Sequence, residues 1–410
     1  MRRGIAILLL VVLALGVSGC ENWVENEYLS VTPHVEQPVS ASDAQEKETP
    51  PQVTNRNELR GVVLSMIRNW TEHGALLVRN YDGDVSSDLS EILDYATSED
   101  PIGAYAVDYA DAELTGSART GRIDVSIVFR RSAAEIESIV TVSNNNAALR
   151  KIQQALADSD TALTLRIRDY RQMDFESEIR SYCLEHPELI LALPDISAEL
   201  YPREGATRIL ELHFGYPESR DRMRTMLASV NTILSSATAY VCNGKTQNER
   251  AALLYRFLTS RFHYEVDTEA PAMPAYRLLC DGVAHSLSFS SVFYAECVAA
   301  GLECRMVGGT RDGAAHYWNL LCIDGEYYYV DLMRGVETGV QELTLLTSAQ
   351  LRAENYVWEE ADYPVTAASE EPEQPPIPTE PPTDSQTAEP STEPTEPTLE
   401  STVEASEEEP

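Results

Sequence analysis

The sequence predicts an α+β fold. Residues 58–218 switch repeatedly between the 3.6-residue period of amphipathic helices and the two-residue period of strands. The stretch Thr246 to Val266, TQNERAALLYRFLTSRFHYEV, reads as an amphipathic helix entering a short extended segment. Further on, HYWNLLCI-DG-EYYYVDL reads as a hairpin whose Asp324-Gly325 pair suits the positive φ angles of a two-residue turn. The expected plan is a leader at 1–20, a flexible tether at 21–57, an α+β domain at 58–218, a second α+β domain at 219–365 and a disordered tail at 366–410.

In the first domain, Leu59, Val62, Val63, Met66, Ile67 and Trp70 form one helical stripe. Ile123, Val125, Ile127 and Phe129 alternate as a strand does, and so do Leu163, Leu165 and Ile167 with Arg166 and Arg168 between them. A further helix carries Phe175, Ile179, Tyr182 and Cys183, and Leu210, Leu212 and Phe214 mark another strand. His186 and His213 are isolated near element ends and read as structural, so no chemistry is assigned to this domain. In the second, Ala275 to Gly282 is a helical turn closed by the glycine. A new helix begins near Ser286, carries Phe289, Val292, Phe293, Cys297 and Ala300, and stops at Gly301. A strand (Leu302 to Val307) and a glycine-rich loop (Gly308 to Ala315) lead into the hairpin.

The ends are compositionally distinct. Met1 to Cys20 reads MRRGIAILLLVVLALGVSGC, with two arginines, an apolar run too short for a comfortable membrane span, and a small-residue cleavage site. Its Val17-Ser18-Gly19-Cys20 ending resembles a bacterial lipobox, which implies lipidation at Cys20 and an anchor on the outer face of the cell membrane. Pro33, Pro38, Pro50 and Pro51 punctuate the polar tether. Thr366 to Pro410 holds 13 acidic residues, 10 prolines and no Lys, Arg or aromatic residue, too little apolar surface to offset ordering entropy. The formal charge is −35, and −22 remains once those 13 are set aside, which argues against nucleic acid and anionic lipid surfaces as partners.

Besides Cys20 there are Cys183, Cys242, Cys280, Cys297, Cys304 and Cys322. None forms a CxxC or sits at ligand spacing from histidines, so no metal and no cofactor are expected, and most read as small buried apolar residues. The hairpin offers chemistry instead. Counting outward from Asp324-Gly325 pairs Ile323 with Glu326 and sets Trp318 opposite Asp331. His316 then becomes the diagonal neighbour of Asp331, within reach of a His–carboxylate hydrogen bond. Such a carboxylate fixes the imidazole tautomer and stabilises its protonated form.

Several motifs carry a family resemblance: Ala275-Tyr276, Gly301-Leu302-Glu303-Cys304, Val307-Gly308-Gly309, His316-Tyr317-Trp318-Asn319, Ile323-Asp324-Gly325-Glu326-Tyr327-Tyr328, Asp331, Tyr356-Val357-Trp358 and Tyr363-Pro364. Together they resemble the transglutaminase-like superfamily, whose core is shared with papain-like cysteine peptidases, over about Thr246 to Val365. The resemblance implies a Cys-His-Asp triad acting on amides, by hydrolysis or by acyl transfer to an amine.

In that family the nucleophile opens the helix, 15 residues before the glycine that ends it, behind a Gly-x-x-x-Cys lead-in. Counting back 15 from Gly301 gives Ser286, with Gly282-Val283-Ala284-His285 as the lead-in and no gap. Using Cys280 instead requires a six-residue insertion and places the thiol at the C-terminal end of a helical turn, where the dipole opposes ionisation. The expected site is therefore a degenerate triad of Ser286, His316 and Asp331. Ser286 also has a plain use as a helix N-cap. The leading expectation is a lipid-anchored protein that binds a peptide, protein or cell-wall segment without efficient catalysis. The alternatives are an active amide hydrolase or acyl transferase using Ser286 or Cys280, and an envelope protein acting through residues 58–218.

Overall fold

The computed structural model describes residues 49–260 and 265–366. The leader, Cys20, most of the tether and the tail beyond Thr366 lie outside the described residues. The chain divides into two compact units. One runs up to Ala96 and resumes over Asp108–Phe129; the other takes Thr97–Val107 and everything from Arg130.

The first unit holds β1 (Gln52–Val53), α1 (Arg56–Arg68), β2 (His73–Arg79), α2 (Val85–Ser98), β3 (Val107–Gly116) and β4 (Thr120–Phe129). Its sheet runs β1-β2-β4-β3. Among the described residues the first strand starts at Gln52, inside the segment expected to be tether. Asn55 caps α1 by accepting from the Glu58 N–H at 3.1 Å. Leu59, Val63, Met66 and Ile67 are buried, and a Cβ on Gly74 would lie 2.7 Å from the Met66 methyl, so α1 rides directly on β2. Trp70 departs from the expected stripe. The helix ends at Asn69, and Trp70 takes φ 51° and stacks on Phe129 at 5.5 Å.

The second unit opens with α3 (Pro101–Ala106), α4 (Ala133–Glu137), β5 (Val140–Asn144), α5 (Asn145–Asp158), β6 (Ala162–Asp169), α6 (Phe175–Glu185), β7 (Asp195–Tyr201) and β8 (Arg208–Gly215). The sheet order is β5-β6-β8-β7, and the alternating Leu165, Ile167, Leu210, Leu212 and Phe214 share a core with the apolar stripes of α5 and α6. Then come α7 (Arg220–Val241), α8 (Gln247–Ser260), β9 (Glu265–Val266), α9 (Pro274–Leu279), β10 (Val283–Ala284) and α10 (Ser286–Ala299). The chain continues through β11 (Cys304–Arg311), β12 (Ala314–Ile323), β13 (Glu326–Val330), α11 (Leu332–Thr338), α12 (Ser348–Ala353) and β14 (Tyr356–Val357), with strand order β13-β12-β11-β14.

No unit boundary falls at residue 218, where the sequence suggested one. Leu191 and Ala192 belong to the same apolar cluster as α7, α8, α9 and α10. Ser291 Oγ donates to the Leu184 carbonyl at 2.5 Å, and the Leu193 N–H to the Ala272 carbonyl at 2.7 Å. These bonds tie the two sides of residue 218 together.

The first two turns of α10 are enclosed on all sides. Every residue from Ser286 to Phe293 is buried, serines included. The serines bury without penalty where their hydroxyls meet carbonyls, as Ser290 Oγ meets that of Trp318 at 2.9 Å. Gly301 ends the helix at φ 72°, with the Leu302 N–H returning to the Cys297 carbonyl. The expected glycine-rich loop is mostly strand. Strand β11 continues through Gly308 and Gly309 to Arg311, and Asp312-Gly313 makes a tight turn into β12. Gly309 is there for close approach, because a Cβ would sit 2.3 Å from the Val357 carbonyl oxygen and 2.8 Å from the Trp318 ring. Among the described residues no helix is long and apolar enough to cross a membrane.

Candidate functional site

The second hairpin pairs Ile323 with Glu326, as the Asp-Gly turn requires, and its ladder ends at Asn319 opposite Val330. Asp331 therefore stands one position beyond the last pair. It leaves the sheet to cap α11, its Oδ1 accepting the Arg334 N–H at 3.1 Å. Its other oxygen, Oδ2, accepts from His316 Nε2 at 2.7 Å. Because an ionised carboxylate only accepts, the imidazole carries a proton on Nε2, and Nδ1 is the ring nitrogen not engaged by Asp331. Burial alone would push the Asp331 carboxyl up; the bonds from His316, Tyr356 and the Arg334 N–H outweigh it and hold the group below its ordinary value.

An aromatic box backs the pair. The His316 ring stacks on Trp318 at 6.1 Å and meets Tyr356 edge-on at 5.7 Å. Tyr356 OH donates to Asp331 Oδ2 at 2.6 Å. Trp358 closes the box against Trp318 at 5.7 Å and donates from Nε1 to Tyr329 OH at 3.0 Å.

Ser286 and His316 line one cleft of about 310 Å³, walled by the residues after β9, the start of α10, the β11–β12 turn and α11. Ser286 is the first residue of α10, where unsatisfied N–H groups favour negative charge. It is not the N-cap that the sequence suggested. His285 has that role, its Nδ1 accepting the Leu287 N–H at 3.1 Å, which frees the Ser286 hydroxyl from capping. Burial pushes the His285 imidazole down, as does His316 close by, against the opposing pull of Asp267 and a bond to the Thr268 backbone. Among the described residues, the hydrogen bonds of His316 run to Asp331, and none joins it to Ser286 Oγ.

Cys280 sits elsewhere. It caps the C-terminal end of α9, is exposed, and does not line the cleft. Partial burial and then Asp281 push its thiol up, the wrong direction for a nucleophile. Of the other described cysteines, Cys183, Cys297 and Cys304 are buried, Cys322 is half-buried and Cys242 is exposed. Among the described residues no group of three or more His, Cys, Asp or Glu side chains could hold a metal ion.

A larger hollow of about 550 Å³ lies on the first unit's sheet and includes His73 and Ser126, whose side chains meet at 3.2 Å. The two are direct cross-strand partners on an exposed face, which alone produces such a contact. Sequence reasoning missed the roles of His285 as cap and of the Arg311–Glu337 ion pair at 2.7 Å in the cleft, and it named Tyr356 only as part of a family motif, without its bond to Asp331. His285 had a local signal in its place immediately before a helix; the ion pair had none.

The family comparison covers this region. Residues 235–332 match the model of the transglutaminase-like superfamily. The protein contains a transglutaminase-like domain. The matched segment spans Ser286, His316 and Asp331 but stops before Tyr356. Among solved structures, a TGase crystal structure is 9% identical over 51% of this chain and 60% of its own, at a TM-score of 0.23. A structure described as a candidate cysteine protease from Cytophaga hutchinsonii is 11% identical over 38% of this chain and 66% of its own, at 0.24. This chain spans less than two thirds of the length of either. No curated protein matches.

Proposed function

We propose that the protein is an extracytoplasmic lipoprotein, anchored through Cys20, whose transglutaminase-like domain binds a peptide, protein or cell-wall segment and turns it over poorly or not at all. The observation that carries this reading is Ser286 at the first position of the cleft helix, facing the same cleft as a buried His316–Asp331 pair. Thiol enzymes of this geometry work through a thiolate–imidazolium pair, which an alcohol does not form at neutral pH. Loss of a working nucleophile in a triad enzyme costs on the order of 10⁶ in kcat, about 8 kcal/mol of barrier. The membrane address rests on the leader sequence.

The test restores the sulfur. In the Ser286→Cys protein the new thiol sits at a helix N-terminus beside a histidine, so it reacts with iodoacetamide at pH 7 far faster than Cys280 or Cys242 in the same chain. Reactivity no greater than theirs removes the assignment of position 286. The intact His316–Asp331 bond also fits a serine hydrolase, which wild-type protein on peptide and amine-donor libraries distinguishes. Turnover abolished in both Ser286→Ala and His316→Ala would establish that alternative and end the binding-only reading.

A further inference from the structure

We propose that Tyr356 is a positioning residue of the His316–Asp331 pair, its hydroxyl sharing the carboxylate oxygen that His316 uses and its ring fixing the imidazole from the side. The inference rests on reading this cleft as the functional site.

Asp331 Oδ2 accepts two donors, Tyr356 OH at 2.6 Å and His316 Nε2 at 2.7 Å, while Oδ1 is held by the Arg334 N–H at 3.1 Å. The carboxylate cannot rotate without losing all three bonds, so the direction in which it holds the imidazole is fixed. Packing alone does not require the hydroxyl, since a phenylalanine ring would meet His316 and Trp318 equally well at 5.7 and 5.2 Å. The hydroxyl is there for the carboxylate. Burial first, then Asp331 itself, push its ionisation upward, so it remains a donor throughout the physiological range. It divides the negative charge that His316 would otherwise receive alone.

The ring has a second contact that reaches the cleft. The Arg311 guanidinium lies 5.4 Å from the Tyr356 ring centroid and pairs with Glu337, both of which line the cleft. Tyr356 is delivered by β14, which pairs antiparallel with β11 through Arg311 and Tyr356. That strand lies beyond residue 332, where the family match ends.

The test uses the full chain without ligand, so its outcome is independent of whether Ser286→Cys is reactive. In wild type, the Tyr356 hydroxyl proton is expected as a slowly exchanging NMR resonance with a cross-peak to the His316 Nε2 proton. In Tyr356→Phe, the Asp331 carboxyl carbon is expected to titrate at higher pH, and the His316 Nε2 proton to move downfield as its bond to Asp331 strengthens. Trp358→Phe, two residues further along the chain, keeps a ring against Trp318 and removes only the bond to Tyr329, and is expected to lower Tm and leave both signals in place. Absence of the hydroxyl resonance, unchanged signals in folded Tyr356→Phe, or an equal response in Trp358→Phe would each overturn the proposal.

Discussion

Glu296 carries a carboxyl into the interior, 3% exposed, on the same helix that presents Ser286. Burial pushes it up to about 7, only partly opposed by the bond from Thr238 Oγ1 at 2.9 Å. In the unfolded chain it titrates near 4.5, so between 4.5 and about 7 the folded protein holds more protons than the unfolded one. Stability therefore falls as pH rises through that window and stays lower above it. Glu296→Gln removes the penalty: the variant should match wild type near pH 4.5 and exceed it by roughly 2–3 kcal/mol at pH 8, read from denaturant midpoints at each pH. A constant difference across pH would mean the carboxyl does not titrate in this range. Asp331 behaves oppositely. Its contribution is present above the ordinary carboxylate range and is lost as pH falls through its depressed folded value.

Strand β14 is two residues long and sits at a sheet edge, yet it brings Tyr356 to Asp331 and Trp358 to Trp318. Its approach depends on the missing side chain at position 309. Gly309→Ala should push β14 off β11, cost at least about 2 kcal/mol because the clash is with backbone rather than a flexible tip, and uncouple Tyr356 from Asp331. Thermal unfolding together with the His316 Nε2 resonance reads both effects; an unshifted Tm would show that the edge yields freely. This element also marks how far the sequence could be read. The His316–Asp331 contact was legible because a two-residue Asp-Gly turn fixes register and register fixes neighbours. Gly308-Gly309 misled, since two glycines signal a loop unless the partner that needs the space is known, and that partner arrives almost fifty residues later. His285 as cap was hidden because serine is the commoner cap and stands next to it.

The second unit joins a sheet-and-helix layer to the transglutaminase-like core through the enclosed first turns of α10, and a tertiary join of this kind leaves no local trace in sequence. Serines spaced along a helix read as its wet face; here Ser291 and Ser290 are buried and bond the carbonyls of Leu184 and Trp318. A fragment comprising residues 219–366 should consequently lack cooperative unfolding and bind a hydrophobic dye, whereas a fragment comprising residues 49–366, which keeps both units whole, should not. Cooperative melting of the shorter piece would show that the upstream layer is dispensable. The same enclosure governs access to Ser286. Neighbouring segments cover the flanks of α10, so whatever meets the hydroxyl has to arrive end-on at the tip. The rod behind that tip is held by its own packing whichever atom sits there, so the choice between hydroxyl and thiol is confined to one side chain.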